Sequence, residues 1–356
     1  MNHCYIIGGG IAGFVSGIAA ARLGYKVSLL EKEDLPFSYA SSRNAAIFRS
    51  YEGHPGLSIL VKNSFQKIKE WEAESGMTML DQVGLFIRPL EVDYSESSTK
   101  PELQSKDFTL ITPGQQSEGR FLQSNGVIQL DAYLDYFSSL FKQSGGEFYN
   151  AAVQELTVQD NRIHKIQLNQ RDSLSVHEQD LVLFAAGSWL SRSAITKKLP
   201  FLPGLIPHKR HLFVLEVEKE WGSLPVVWDE LQEFYFRPYY GNILVTHGDE
   251  NPVMADDYEV EQTAELEFRA AAQDAFPFLA AASILESRAC LRTFTMDRLP
   301  VCGYDPKISN LFWQGGWGGR GISIAPAMID YTYAIMNDVK VSNNPEKNQF
   351  SPYRFL

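Results

Sequence analysis

The sequence predicts an α/β chain in which a doubly wound parallel-sheet domain, discontinuous in sequence, carries an inserted antiparallel-sheet α+β domain. Three observations predict it. A glycine-rich run at 8–13 lies between an apolar strand and a helix of small residues. From about Pro200 the texture changes to short alternating segments with turns between them. A second glycine cluster, Gly315 to Gly321, leads into a last apolar helix.

The elements follow in order. Cys4–Ile7 reads as a short apolar strand, and Ile11–Leu23 has small and apolar residues at helical spacing. Gly24 ends that helix and Lys26–Leu30 is the second strand, which completes the repeating unit of a doubly wound sheet. Leu57–Glu74 and Leu130–Gln143 are amphipathic helices, the second closed by Gly145-Gly146. Residues 94–118, rich in Ser, Gln, Lys and Glu, read as a surface excursion with short elements. Val153–Val158 and Ile163–Leu168 form a hairpin pattern, and Leu181–Ala185 a buried strand. Leu212–Val217, Leu224–Trp228, Glu233–Arg237 and Asn242–Thr246 then alternate as an antiparallel sheet. Tyr258–Ala275 is a helix with an acidic first half, and the chain ends in a helix from about Ile324 to Met336. The nucleotide-binding portion is therefore expected over 1–80, 127–200 and 286–356, and the inserted portion over 81–126 and 201–285.

Composition narrows the function. The 356 residues are 44% hydrophobic and 21% charged, enough for a sizeable core and too apolar for a disordered chain. A net charge of −11 argues against a nucleic-acid partner. Three cysteines with no CxxC give neither a disulfide framework nor a zinc ribbon, and point to a reducing, cytoplasmic setting. The uncharged run Tyr5–Ala21 lacks a basic flank and holds five glycines, so no integral membrane segment is expected. None of the seven histidines falls in a metal pattern.

The chemistry concentrates in the glycine motifs. Gly8, Gly10 and Gly13 satisfy GxGxxG between a strand and a helix, and Glu31 ends the next strand. Glycine lets backbone N–H groups approach a pyrophosphate, the helix start stabilises its charge, and an acid at that strand end accepts ribose hydroxyls. An acid there disfavours NADP, but the motif alone does not separate FAD from NAD. Ser41 to Ala46 follows, with hydroxyls and Arg43 that suit either phosphate contacts or a helix cap. Arg292 stands in the apolar context Ala-Cys-Leu-Arg-Thr-Phe, where a buried guanidinium needs an anion, either a ligand or an internal acid such as Asp297.

GGGIAG at 8–13, SSRNAA at 41–46, LFAAGSW at 183–189, LRTFTMDRLPV at 291–301 and QGGWGGRGISIAPA at 314–327 occur in that order. Together they resemble the D-amino-acid oxidase-like (DAO) superfamily of FAD-dependent oxidoreductases, over nearly the whole chain. Within it the sequence is most similar to D-arginine dehydrogenase and glycine oxidase-type members, through Lys209-Arg210, Phe234-Tyr235 and Leu291-Arg292. The resemblance implies a Rossmann-like FAD-binding domain, with substrate held between the flavin and the inserted sheet. It implies cofactor contacts from Gly8, Gly10, Ile11, Ala12, Gly13, Glu31, Lys32, Ser42, Arg43, Asn44 and Ala45. It adds Val153, Ala186, Gly187, Trp189, Gly316, Gly318, Gly319, Arg320, Gly321 and Ile322. Arg292 and Tyr235 are expected to hold a substrate carboxylate, with Tyr51 and Trp317 beside them, and Arg320 to add positive charge near the flavin or to lie on the surface. The expected activity is oxidation of the C–N bond of a small amino acid, a neutral D-amino acid, glycine or an N-methyl amino acid, with dioxygen or a quinone as final acceptor. A 2-hydroxy acid dehydrogenase of the same superfamily, or the FAD-binding subunit of a heteromeric amine dehydrogenase, are the alternatives. Two departures matter. The strand Gln82–Ile87 lacks the acid that basic substrates need, although Glu52 could restore one. Cys290, two residues before Arg292, is where some sarcosine oxidases attach flavin covalently; the other reading is a small buried side chain.

Overall fold

The computed structural model describes residues 2–50, 52–88, 105–168, 172–191 and 195–356. In chain order the elements that matter are β1 (His3–Ile7), α1 (Ile11–Arg22), β2 (Lys26–Glu31), α2 (Pro55–Ser75), β3 (Leu85–Arg88), β4 (Ser105–Thr112), β5 (Gln115–Leu122) and α3 (Leu130–Gln143). They continue with β6 (Glu147–Asn150), β7 (Glu155–Gln159), β8 (Arg162–Gln167), β9 (Leu181–Phe184), β10 (Ile206–Leu215), β11 (Val226–Asp229), β12 (Phe234–Tyr239) and β13 (Asn242–Thr246). The last are α4 (Ala264–Ala275), β14 (Ile284–Phe294), β15 (Val301–Tyr304), β16 (Leu311–Gly315) and α5 (Gly321–Asn337).

The first sheet has the order β15-β16-β9-β1-β2-β6, parallel except for the edge pair β15–β16. Its central strands β1, β9 and β16 are buried on both faces, as a sheet sandwiched between layers requires. On one face α1 lies between α5 and α3. The close approach of α1 and α3 depends on a missing side chain: a Cβ on Gly17 would come within 2.4 Å of the Phe141 ring. Gly24 takes a left-handed φ of 85° one residue past the helix cap and turns the chain into β2.

The second sheet holds nine strands, counting a short edge pairing at Asn251–Pro252. Its main order is β14-β10-β13-β12-β11-β3-β5-β4. It is antiparallel apart from β11–β3, a parallel pair that the short alternating segments did not reveal. Alternation gives it two unlike faces. Phe213, Leu215, Phe234, Phe236 and Val245 point to one side, against Phe268 and Ala272 of α4 and Phe276 beyond it. Arg210, Leu212, Tyr235, Cys290 and Arg292 point to the other, toward the first sheet.

Several elements differ from the sequence expectation. The strand expected from Leu212 begins at Ile206, because Lys209, Arg210 and His211 are buried in it with polar partners. The helix expected from Tyr258 begins at Ala264, because Asp257 and Glu261 are drawn to Lys209 and the Glu261 amide to His211. The described part of the 94–118 excursion is a regular hairpin, β4–β5, and residues 94–104 lie outside the described residues. The boundary expected at residue 286 falls inside β14, which pairs with β10 from end to end, so Arg292 belongs to the second sheet.

Phe268 is fully buried and stacks on Phe213 at a centroid distance of 4.7 Å. Phe268→Ala is expected to destabilise the protein by about 3–5 kcal/mol. A thermal or denaturant unfolding curve matching wild type would contradict this packing of α4 on the sheet.

Candidate active site

One cavity of about 730 Å³ runs between the two sheets, from the β1–α1 turn to the polar face of the second sheet. That volume is in the range of cofactor sites. Its narrow end is built by glycine. Gly8 has φ 113°, and a Cβ there would sit 2.6 Å from the Ala185 carbonyl oxygen. A Cβ on Gly13 would lie 2.0 Å from the Gly8 oxygen, so α1 packs directly on the end of β1. Glu31 stands where the sequence puts it, at the end of β2. Its Oε2 accepts from the Gly9 N–H (2.6 Å) and its Oε1 from the Glu33 N–H (3.0 Å). Ser41 Oγ accepts from the Ile11 N–H (3.0 Å), joining the 37–46 segment to the start of α1.

Most of the expected cofactor residues line this cavity: Gly8, Gly10, Ile11, Ala12, Glu31, Lys32, Asn44, Ala45, Val153, Ala186, Gly187, Trp189, Gly316, Gly318, Gly319, Arg320, Gly321 and Ile322. Three do not. Gly13 is taken up by packing on Gly8. The Ser42 hydroxyl donates to the Phe37 carbonyl (2.7 Å) in a stretch where no helix begins, so it does not act as the expected helix cap. Arg43 lies over the rings of Tyr39 and Tyr258. Tyr51 lies outside the described residues.

The second glycine loop forms the floor. A Cβ on Gly318 would strike the Phe294 ring at 2.1 Å, and one on Gly319 would meet Arg292 Cδ at 3.4 Å. Trp317 is buried with its Nε1–H unpartnered among the described residues. Arg320 is not a surface arginine: its Nε donates to Glu52 Oε2 at 2.7 Å. Burial pushes the Glu52 carboxyl pKa up, but Arg49 and Arg320 outweigh this and hold it below the usual range. Glu52 is thus a cavity-wall acid already committed to two arginines.

Opposite the loop, the pleat of β10, β12 and β14 brings Arg210, Tyr235 and Arg292 to one wall. Arg292 Nη2 donates to the Asp249 carbonyl (3.3 Å) and to Glu250 Oε1 (3.2 Å), while its buried Nε has no partner among the described residues. Asp297, the alternative partner, is instead held by Arg354 at 2.7 Å. Burial, and after it the charge of Arg210, lower the Arg292 pKa. The Tyr235 hydroxyl accepts from Arg210 Nη1 (3.3 Å), and its ring stacks on Trp228 at 4.2 Å. Arg210 was not singled out from sequence. Its sequence neighbours Lys209 and His211 are themselves polar, so no apolar context set it apart as it did Arg292. Glu230 and Glu233, on the turn between β11 and β12, also reach the wall, an acidic contribution that the strand Gln82–Ile87 does not make. No histidine lines the cavity, and no cluster suited to a metal occurs among the described residues.

The family described as DAO, FAD dependent oxidoreductase, matches residues 3–333. The chain belongs to this family. It is a flavoenzyme whose cofactor is FAD. An uncharacterized oxidoreductase of Bacillus subtilis, YurR, is 29% identical over 148 residues, which are 41% of this chain and 39% of that protein. Among solved structures, the fold is similar to L-proline dehydrogenase from P. horikoshii, with TM-score 0.82, 19% identity, and coverage of 99% of this chain and 97% of that one. It is also similar to glycine oxidase from Bacillus cereus, with TM-score 0.75, 19% identity, and coverage of 95% and 98%.

The residues of the flavoenzyme fit its cofactor. Glycines leave the β1–α1 turn clear of side chains and bare the backbone of the second loop at 316, 318, 319 and 321. The Trp317 Nε1–H and Arg292 Nε–H are buried donors without a protein acceptor among the described residues. No described helix is long and apolar enough to cross a membrane. Cys290 lines the cavity, but burial pushes its thiol up to about 11, which keeps it protonated and a poor nucleophile at neutral pH. FAD is therefore expected to leave the polypeptide completely on acid or heat denaturation. Flavin fluorescence retained on the denatured chain would contradict this.

Proposed function

We propose that the flavoenzyme oxidises the C–N bond of a small α-amino or N-substituted amino acid, with Arg292 gripping the substrate carboxylate. One observation carries this reading. Arg292 is a largely buried guanidinium whose Nε–H has no partner among the described residues, and its Cδ lies where a Cβ on Gly319 of the second glycine loop would meet it at 3.4 Å. A carboxylate is the ligand that satisfies such a donor bidentately. Arg210 and the Tyr235 hydroxyl stand beside it and extend the same grip.

Bound FAD supplies the two-electron sink that takes hydride from the substrate Cα. The chain's own residues orient and stabilise. Arg292, Arg210 and Tyr235 fix one end of the substrate, so that Cα is presented to the glycine-lined floor. The N-terminus of α5 and Arg320 place positive potential along that floor, which favours negative charge developing there. No base is required: the substrate enters as the neutral amine, its lone pair forms the C=N bond as hydride leaves, and the imino acid hydrolyses after release. The electrons pass on to dioxygen or a quinone. The absence of a histidine from the cavity wall argues against the 2-hydroxy acid alternative, which needs a base for the hydroxyl proton.

A neutral side chain is favoured because Glu52 is spent on Arg49 and Arg320. A basic side chain is the second reading, favoured by Glu230 and Glu233 on the wall near Trp228. Anaerobic bleaching of the flavin, screened over D-, L- and N-methyl amino acids with neutral and basic side chains, decides between them. Bleaching by none of them would overturn the proposal. Arg292→Ala is expected to raise KM by about 100-fold, the equivalent of roughly 3 kcal/mol, while FAD content stays at the wild-type level. An unchanged KM would remove Arg292 from this role.

A further inference from the structure

We propose that Asp249, anchored by His211, is a positioning residue that holds Arg210 and Arg292 together as one carboxylate-binding unit. The inference rests on the reading that these arginines take the substrate carboxylate.

The register of β10 and β14 sets the problem. Arg210 pairs with Cys290 and His208 with Arg292, so the two guanidiniums leave the same face of neighbouring strands, one step apart along the sheet. Arg210 is buried and Arg292 largely so, and like charges in a poorly screened place repel. Left alone, the heads would splay apart.

The segment Gly248–Glu250, just after β13, prevents this with acceptors. The Gly248 carbonyl accepts from Arg210 Nη2 (2.8 Å). The Asp249 carbonyl accepts from both arginines, from Arg210 Nε at 2.7 Å and from Arg292 Nη2 at 3.3 Å. Glu250 Oε1 adds a third oxygen, 3.2 Å from Arg292 Nη2. One peptide oxygen is thus shared by two cations.

The Asp249 side chain fixes that oxygen in place, and its own Oδ1 lies 3.9 Å from Arg210 Nε. The carboxylate accepts from the His211 N–H (3.0 and 3.1 Å) and from His211 Nδ1 (2.8 Å). His211 Nε2 in turn accepts from the Glu261 N–H at 3.1 Å. An acceptor at Nε2 and a donor at Nδ1 specify the neutral tautomer. Both side chains are almost wholly buried, His211 2% and Asp249 6% exposed. With the carboxylate held by His211 and set against Arg210, the Asp249 carbonyl is kept on both arginines.

The test uses the FAD-loaded enzyme with acetate and benzoate as probes, their binding followed by perturbation of the flavin absorbance. Asp249→Ala is expected to weaken both probes by about tenfold or more. With the amino acid that bleaches the flavin, KM should rise in step while kcat stays within about threefold of wild type. Asp249→Asn keeps an oxygen for His211 and should stay within about threefold of wild type in both readouts. Wild-type affinity in Asp249→Ala would overturn the inference, and so would equal losses in the Ala and Asn variants. If Asp249→Ala does not yield folded enzyme, His211→Phe removes the side-chain anchor, and wild-type probe binding there is the overturning result. Arg292→Ala separates the two claims. If it loses the probes while Asp249→Ala keeps them, only the positioning role fails. If Arg292→Ala keeps them, or wild type binds neither, the carboxylate reading itself fails.

Discussion

Burying guanidinium groups on one face of an otherwise apolar sheet is the constraint on which the rest of the site depends. A charge taken out of water must be met by oxygen atoms in fixed places. Here they come from loop carbonyls at 248–249 and from Glu250. The opposite face packs phenylalanines against α4, and the charges it buries, Lys209 and Arg88, are matched by Asp257, Glu261 and Asp229. The sheet is thus a partition, mainly aromatic behind and ionic in front, with the ionic face turned to the first sheet.

The same reasoning explains what the sequence disclosed. The first unit was legible because each of its signals is local. Apolar runs, small-residue helical spacing, a glycine turn and an acid at the next strand end all fall within one βαβ unit. Arg292 was legible for the complementary reason, as a charge in an apolar strand. Lys209, Arg210 and His211 hid the start of β10, because their charge breaks the alternation that marks a strand. Their partners lie about 40 to 50 residues away, at Asp249, Asp257 and Glu261. The ion pair of Arg320 with Glu52 spans 268 positions, and no local pattern announces it. The Ser42 hydroxyl shows the limit of a motif: the same residue types serve a cap or a phosphate, and here the neighbouring carbonyl claims it.

Relatives with 19% identity keep the architecture at a TM-score of up to 0.82, which fits a division of labour between backbone and side chains. Gly8, Gly13 and Gly318 answer to close packing, where an added carbon would collide. The ionic wall answers to the ligand. Its arginines, aromatic stack and acids can be exchanged as long as every buried charge still meets an oxygen, which is how one fold accommodates different substrates.

The threading of the chain has a consequence for its biogenesis. The parallel sheet takes strands from 3–31, 147–184 and 301–315, and the other sheet from 85–122, 206–252 and 284–294. The second sheet is unfinished until residue 294 has left the ribosome, and the parallel sheet until residue 315. Until then β9 has a bare edge where β16 will dock, and β10 has one where β14 will dock. Such unpaired edges are sticky, and contacts this distant in sequence form slowly. The nascent protein is therefore exposed to aggregation until residues 284–315 arrive to close both sheets.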